Sequence, residues 1–189
     1  MRLFIALEIP IAARQNLATL IASLRAVTRE PRWVRAENLH VTLKFLDEVA
    51  EDKLAAVQTA LGGIRSPQAV TVQFRGLGFF PNARNPRVFW AGLEASSNLK
   101  TLAADIEGAM EKCGIARERR ELSPHLTLAR LEGALPEALR KAIADNAQRE
   151  FGSLRTGEFL LMQSKLKPAG AEYTTLKSFP FFPSVNSIA

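Results

Sequence analysis

Both histidines of the 189-residue chain open the same His-x-Thr-Leu pattern, His40-Val41-Thr42-Leu43 and His125-Leu126-Thr127-Leu128. With 10 threonines and 25 leucines present, a histidine followed by any residue and then Thr-Leu arises by chance about 0.7% of the time. For both to do so is on the order of one in twenty thousand, which outweighs the false-positive risk of a short motif. In a strand, residues i and i+2 share a face about 6.5 to 7 Å apart. Each motif therefore presents an imidazole beside a hydroxyl, while Val41/Leu43 and Leu126/Leu128 pack behind. If the two strands belong to equivalent lobes, the two pairs can face one another across a cleft.

The remaining sequence fits that arrangement. Residues 2–9 predict a strand, and Pro10 suits the first turn of a helix whose buried face is Leu17, Leu20, Ile21, Leu24 and Val27, ending near Glu30-Pro31. A strand follows over 39–46, with Leu39, Val41, Leu43 and Phe45 on one face and His40, Thr42 and Lys44 on the other. A helix over 51–61 stops at Gly62-Gly63, and a strand over 69–74 closes the first series. The second series repeats the order. It runs through a strand over 87–93, a helix capped by Asn98 and ended by Gly114, a strand over 125–131, a helix over 136–149 and a strand over 158–165. The first helix of this second series buries Leu99, Leu102, Ala103, Ile106, Met110 and Cys113, and a final strand covers 173–179. The order predicts two similar lobes with the break near 82–87.

Composition narrows the function classes. With 47% hydrophobic and 23% charged residues the chain is of globular type, and the longest stretch without a charge, 178–189, is broken by Pro180 and Pro183. A bilayer span needs about twenty apolar residues, so no transmembrane helix is expected. The apolar run 3–7 stops at Glu8 and Pro10, too short for a signal-peptide core. Cys113 is the sole cysteine, which excludes an intrachain disulfide and a cysteine-rich metal site. A soluble cytoplasmic protein is expected, acting as a monomer. The net charge of +6 points to an anionic partner, of which phosphates and nucleic acid are the commonest.

Two imidazoles flanking an electrophile suit acid-base catalysis. With a reference pKa near 6.5, one ring accepts a proton while the other donates one. Thr42 and Thr127 stand where they can donate hydrogen bonds to non-bridging oxygens as negative charge grows in a phosphoryl transition state. Taken alone, either histidine is more often a hydrogen-bonded structural residue, and it is the pair that favours chemistry. Zinc usually takes three or four protein ligands and no third histidine exists. A Ser-His-Asp triad needs only one histidine. Basic residues frame both motifs at matching offsets: Arg35 and Arg32 lie five and eight residues before His40, and Arg120 and Arg117 five and eight before His125. Strict alternation puts Arg130 on the face opposite His125, so it reaches a phosphate only if the strand bends or ends there.

The paired motifs, in a chain of this length, resemble the 2H phosphoesterase superfamily. The opening Met1-Arg2-Leu3-Phe4-Ile5-Ala6-Leu7, Arg32-Trp33-Val34, the block from Leu39 to Leu46, Phe79-Phe80-Pro81 with Pro86-Arg87-Val88, and the run from Pro124 to Arg130 are similar to the bacterial and archaeal RNA 2',3'-cyclic phosphodiesterases, formerly called 2'-5' RNA ligases. The resemblance covers nearly the whole chain. Asp47 departs from it, standing where glycine is expected after Lys44-Phe45-Leu46.

The resemblance implies an α+β, bilobal, duplicated fold with two mainly antiparallel sheets, outer helices and a metal-free active site between the lobes. It implies hydrolysis of a 2',3'-cyclic phosphate RNA end to a 2'-phosphate end without a cofactor, reversible as 2'-5' ligation. His40 would be the proton donor to the departing O3', His125 the base that activates water, and Thr42 and Thr127 the residues that hold the phosphate oxygens; Arg130 is a further phosphate-binding candidate from its place after the second motif. The residues themselves show the pair but not which member is the acid. A phosphodiesterase acting on another cyclic nucleotide, a non-catalytic nucleotide- or RNA-binding module using the same cleft, and a structural adaptor are the competing readings; a binder has no need of two proton-transfer groups. Phe4, Trp33, Phe79, Phe80 and Trp90 are candidates for stacking on bases, yet large aromatics in strands belong more often to the core, and none is assigned to the site.

Overall fold

The first strand, β1 (Arg2–Glu8), buries five consecutive residues from Leu3 to Leu7 rather than every second one, the mark of a strand covered on both faces. It lies between β3 (His40–Glu48) and β8 (Glu158–Lys167), and β9 (Gly170–Pro180) completes a four-stranded sheet in the order β3-β1-β8-β9. The second sheet has five strands in the order β2-β6-β5-β4-β7: β2 (Arg32–Trp33), β6 (Leu126–Arg130), β5 (Val88–Ala95), β4 (Val70–Phe80) and β7 (Glu150–Thr156). Every pairing in both sheets is antiparallel. The computed structural model describes all residues except 83, 119–121, 169 and 183–189.

Helix α1 (Ile11–Val27) begins directly after Pro10 and buries Ala13, Leu17, Leu20, Ile21 and Leu24. It packs on β7 and on α4 (Glu137–Asp145). That close approach depends on Gly152, whose φ is +125° and where a Cβ would lie 3.1 Å from the Ala13 Cβ. Helices α2 (Leu54–Gly62) and α3 (Asn98–Lys112) pack on each other, and α3 also packs on β3. One continuous apolar core draws on both sheets and on α1 to α4.

The duplicated order is visible, but the lobes do not part where the sequence suggests. The units β1-α1-β3 and β5-α3-β6 correspond, each a pair of antiparallel strands joined through a helix. The next long strand of each unit crosses over: β4 joins β5, and β8 joins β1. The segment 82–87 is thus the loop of the β4–β5 hairpin within one sheet.

Other departures have local causes. The helix expected to reach 149 is shorter, because α4 stops at Asn146, whose side-chain amide donates back to the Ala142 carbonyl, and strand β7 follows where no element is expected. Ser97, not Asn98, holds the cap position of α3, while the Asn98 amide donates to the Gln68 and Ala69 carbonyls. Val27, the last residue of α1, is 69% exposed, and the next residue, Thr28, turns inward instead.

Candidate active site

The two His-x-Thr strands carry the same irregularity at the same place. Along β3, Thr42 stands opposite Ala6 and Lys44 opposite Ile5, so Leu43 is an inserted residue. Along β6, Thr127 stands opposite Trp90 and Ala129 opposite Phe89, so Leu128 is inserted. A bulge of this kind shifts the alternation by one residue. Leu43 and Lys44 both turn inward and Phe45 returns to the face of His40 and Thr42, 57% exposed. Leu128 and Ala129 likewise both turn inward, and Arg130 returns to the face of His125 and Thr127. The expectations from strict alternation, with Lys44 beside His40, Phe45 in the core and Arg130 away from His125, are corrected by this one residue in each strand.

The sheets meet where β3 contacts β6, and the two histidines are close enough that the charge of His125 acts on His40. The His40 Nδ1 lies 2.7 Å from the carbonyl oxygen of Asn38, and the His125 Nδ1 lies 2.8 Å from that of Ser123. A carbonyl only accepts, so in each neutral ring Nδ1 carries the proton and Nε2 offers a lone pair. Neither Nε2 has a protein partner among the described residues, and neither do the hydroxyls of Thr42 and Thr127.

Burial pushes both histidines below their ordinary pKa of 6.5, and in each the bond to the backbone carbonyl pulls partly back. The third influence differs: His40 is lowered by the charge of His125, and His125 by that of Arg130. No ion pair involves Arg130 among the described residues, whereas Arg32 is paired with Glu132, Arg35 with Glu37 and Arg117 with Glu111. Arg120 lies outside the described residues.

Aromatic rings wall both sides. Phe4 and Tyr173 lie 4.7 and 5.2 Å from the His40 ring, and Phe80 lies 4.9 Å from that of His125. Phe80 in turn meets Trp90 at 5.2 Å. The Trp90 indole lies over Gly78, where a Cβ would come within 2.3 Å of the ring, and its buried Nε1 has no hydrogen-bond partner among the described residues. Trp33 and Phe79 pack against the core instead. Sequence reasoning passed over Phe45 and Tyr173; the available signal for Phe45 was its offset, five residues after His40, as Arg130 is five after His125. Among the described residues no three His, Cys, Asp or Glu side chains converge as a metal-ligand set, and no helix is long and apolar enough to cross a membrane.

A model of the LigT-like phosphoesterase family matches residues 7–90 and 93–173. The chain belongs to this family. Among its relatives, the RNA 2',3'-cyclic phosphodiesterase of Archaeoglobus fulgidus is 34% identical over 179 residues, covering 95% of this chain and 99% of that protein. The RNA 2',3'-cyclic phosphodiesterase of Aeropyrum pernix is 36% identical over 164 residues, covering 85% and 92%. In structure, this LigT-like phosphoesterase is similar to TT0787 of Thermus thermophilus, with a TM-score of 0.79 and 31% identity, covering 96% of this chain and 98% of that one. It is also similar to E. coli LigT complexed with 3'-AMP, with a TM-score of 0.76 and 28% identity at the same coverage. The α+β architecture of two antiparallel sheets is common to them.

Proposed function

We propose that this LigT-like phosphoesterase opens the 2',3'-cyclic phosphate at an RNA end and leaves a 2'-phosphate, using its two histidines as an acid-base pair. The observation that carries the reading is the shared plan of the two rings: each has Nδ1 held by a backbone carbonyl and an Nε2 with no protein partner, beside an unengaged threonine hydroxyl. In the proposed reaction the neutral His125 accepts a proton from water through Nε2 as the water oxygen attacks phosphorus. The bond from phosphorus to O3' breaks, and the cationic His40 donates its Nε2 proton to that oxygen. Thr42 and Thr127 donate to the non-bridging oxygens, and the guanidinium of Arg130 offsets their growing charge. Burial lowers the proton affinity of both rings, and Arg130 adds to that lowering at His125, the ring that begins neutral in this reading. A 5'-hydroxyl in place of water gives a 2'-5' linkage through the same two proton transfers.

The names of the relatives support RNA as the substrate. Incubation with a short RNA ending in a 2',3'-cyclic phosphate, with EDTA present, tests the reading. A 2'-phosphate end is expected. A 3'-phosphate would contradict the leaving-group assignment, and binding without turnover would favour a non-catalytic module.

A further inference from the structure

A groove of about 790 Å³ lies between the C-terminal half of α1 and the segment leading into His40. Its helix side is a stripe of small residues, Ala18, Ala22 and Ala26, accompanied by Arg25 and Arg29. Arg35 stands on the opposite side. Arg25 and Arg29 are exposed and have no carboxylate partner among the described residues; Glu37, the acidic residue of the lining, is paired with Arg35.

The far wall is part of the frame of the active site. The Val34 N–H donates to the Leu128 carbonyl on the His125 strand, and the Asn38 carbonyl accepts from the His40 ring. The Asn38 amide donates to the Ala171 carbonyl, two residues before Tyr173, whose ring meets His40. The Arg35 guanidinium reaches the same turn, 3.8 Å from where a Cβ on Gly170 would be. The near end is fixed as well, since the Trp33 Nε1–H donates to the Thr28 carbonyl just beyond α1. The groove is therefore preformed, carries the unneutralised guanidinium groups of Arg25 and Arg29, and adjoins the catalytic strand.

We propose that this groove holds the phosphodiester backbone of the nucleotides on the 5' side of the terminal cyclic phosphate, with Arg35 at the junction and Arg25 and Arg29 on phosphates further upstream. The inference rests on the reading of the site as an RNA cyclic-phosphate hydrolase. The alanine stripe lets a strand lie close to the helix, and arginine is suited to phosphate oxygens by its planar fork of donors. The contacts carry no sequence information, so they select for chain length rather than for base.

The test compares a single-stranded RNA of about ten nucleotides ending in a 2',3'-cyclic phosphate with a 2',3'-cyclic mononucleotide, in the wild type and in an Arg25→Ala/Arg29→Ala double variant. Both positions are exposed, and alanine is a strong helix former at position 25. The wild type is expected to favour the oligomer by about tenfold or more in kcat/KM, and the double variant to lose most of that preference through KM. Mononucleotide turnover should stay within about twofold, and the salt dependence for the oligomer should fall in slope by about 1.4. Equal use of both substrates by the wild type, or an oligomer preference that survives in the variant, would overturn the inference while leaving the hydrolase reading intact. Turnover of neither substrate by the wild type would overturn both.

Discussion

In the His40 half of the site, the bulge at Leu43 sends Lys44 into the core and Phe45 outward; in the His125 half, the bulge at Leu128 sends Ala129 inward and Arg130 outward. One backbone device thus carries different side chains. The inward alanine needs no partner. The inward lysine does, since a lone buried ammonium is costly, and its Nζ donates to Glu107 at 2.7 Å and to the Ala116 carbonyl at 3.0 Å. Glu107 also accepts from the Glu118 N–H, so a residue of the first bulge anchors the end of α3 and the segment that leads toward His125. The outward pair adds a further ring, Phe45, to the His40 side and a cation, Arg130, to the His125 side. The strand, the bulge and the carbonyl-held histidine occur twice, and the two residues that follow each bulge make the halves unequal.

The largest effects should come from what the halves share. Replacing either His40 or His125 by alanine is expected to lower kcat by about 100-fold to 10,000-fold, measured on a cyclic-phosphate RNA; full activity in either variant would show that the pair is not the catalytic unit. The inward difference is next. Lys44→Ala leaves the half-buried Glu107 carboxylate without its cationic partner and should destabilise the fold by about 1 to 3 kcal/mol in denaturant titration. Lys44→Met combined with Glu107→Leu should recover most of that loss, because the buried pair as a whole is worth far less than the cost of breaking it.

The outward difference separates binding from chemistry. Arg130→Ala should lower kcat by about 100-fold as a charged donor to the transition state is lost. Phe45→Ala should instead raise KM, by about 5-fold to 150-fold if the exposed ring stacks on the terminal base at roughly 1 to 3 kcal/mol. Equal effects of both on kcat would erase the proposed division. The same comparison extends to proton affinity. Removing Arg130 takes away a positive neighbour, so the pKa of His125 should rise toward 6.5 in an NMR titration, whereas Phe45→Ala should leave it in place.

Because both folded histidines lie below 6.5, the unfolded chain binds more protons in the interval just under that value. Their contribution to stability is full above pH 6.5 and is lost as pH falls through the folded values. A variant lacking both rings should show a flatter melting temperature across that interval.

The smallest effect concerns Asp47, three residues past Lys44. Its φ of +54° lies in the left-handed region that favours glycine, the residue expected there by resemblance. Asp47→Gly should raise stability by up to about 1 kcal/mol, with activity unchanged; a loss of stability would mean that the aspartate side chain offsets its own strain.

How far the site could be read from sequence follows from the range of each signal. Alternation over four residues placed His40 with Thr42 and His125 with Thr127, because that pattern is local and the strand is regular up to the threonine. It failed at Phe45 and Arg130 because a bulge is defined by the register against a neighbouring strand, Ala6 to Ile5 in one case and Trp90 to Phe89 in the other. Residues 43–45 and 128–130 alone carry no record of that register. The repeat of elements was legible, yet the exchange of β4 and β8 between the sheets was not, since a strand's partner depends on contacts far along the chain. Strand β7 was hidden for a third reason: Gly152 interrupts its pattern so that α1 can lie against it.

In the proposed reaction His40 protonates the departing O3' while His125 activates water. This division of roles is tested most directly with a cyclic substrate in which sulfur replaces the bridging O3', because a thiolate leaves without needing a proton. His40→Ala should recover most of its lost rate on that substrate and His125→Ala should not. Rescue of His125→Ala instead, or of neither variant, would contradict the assignment.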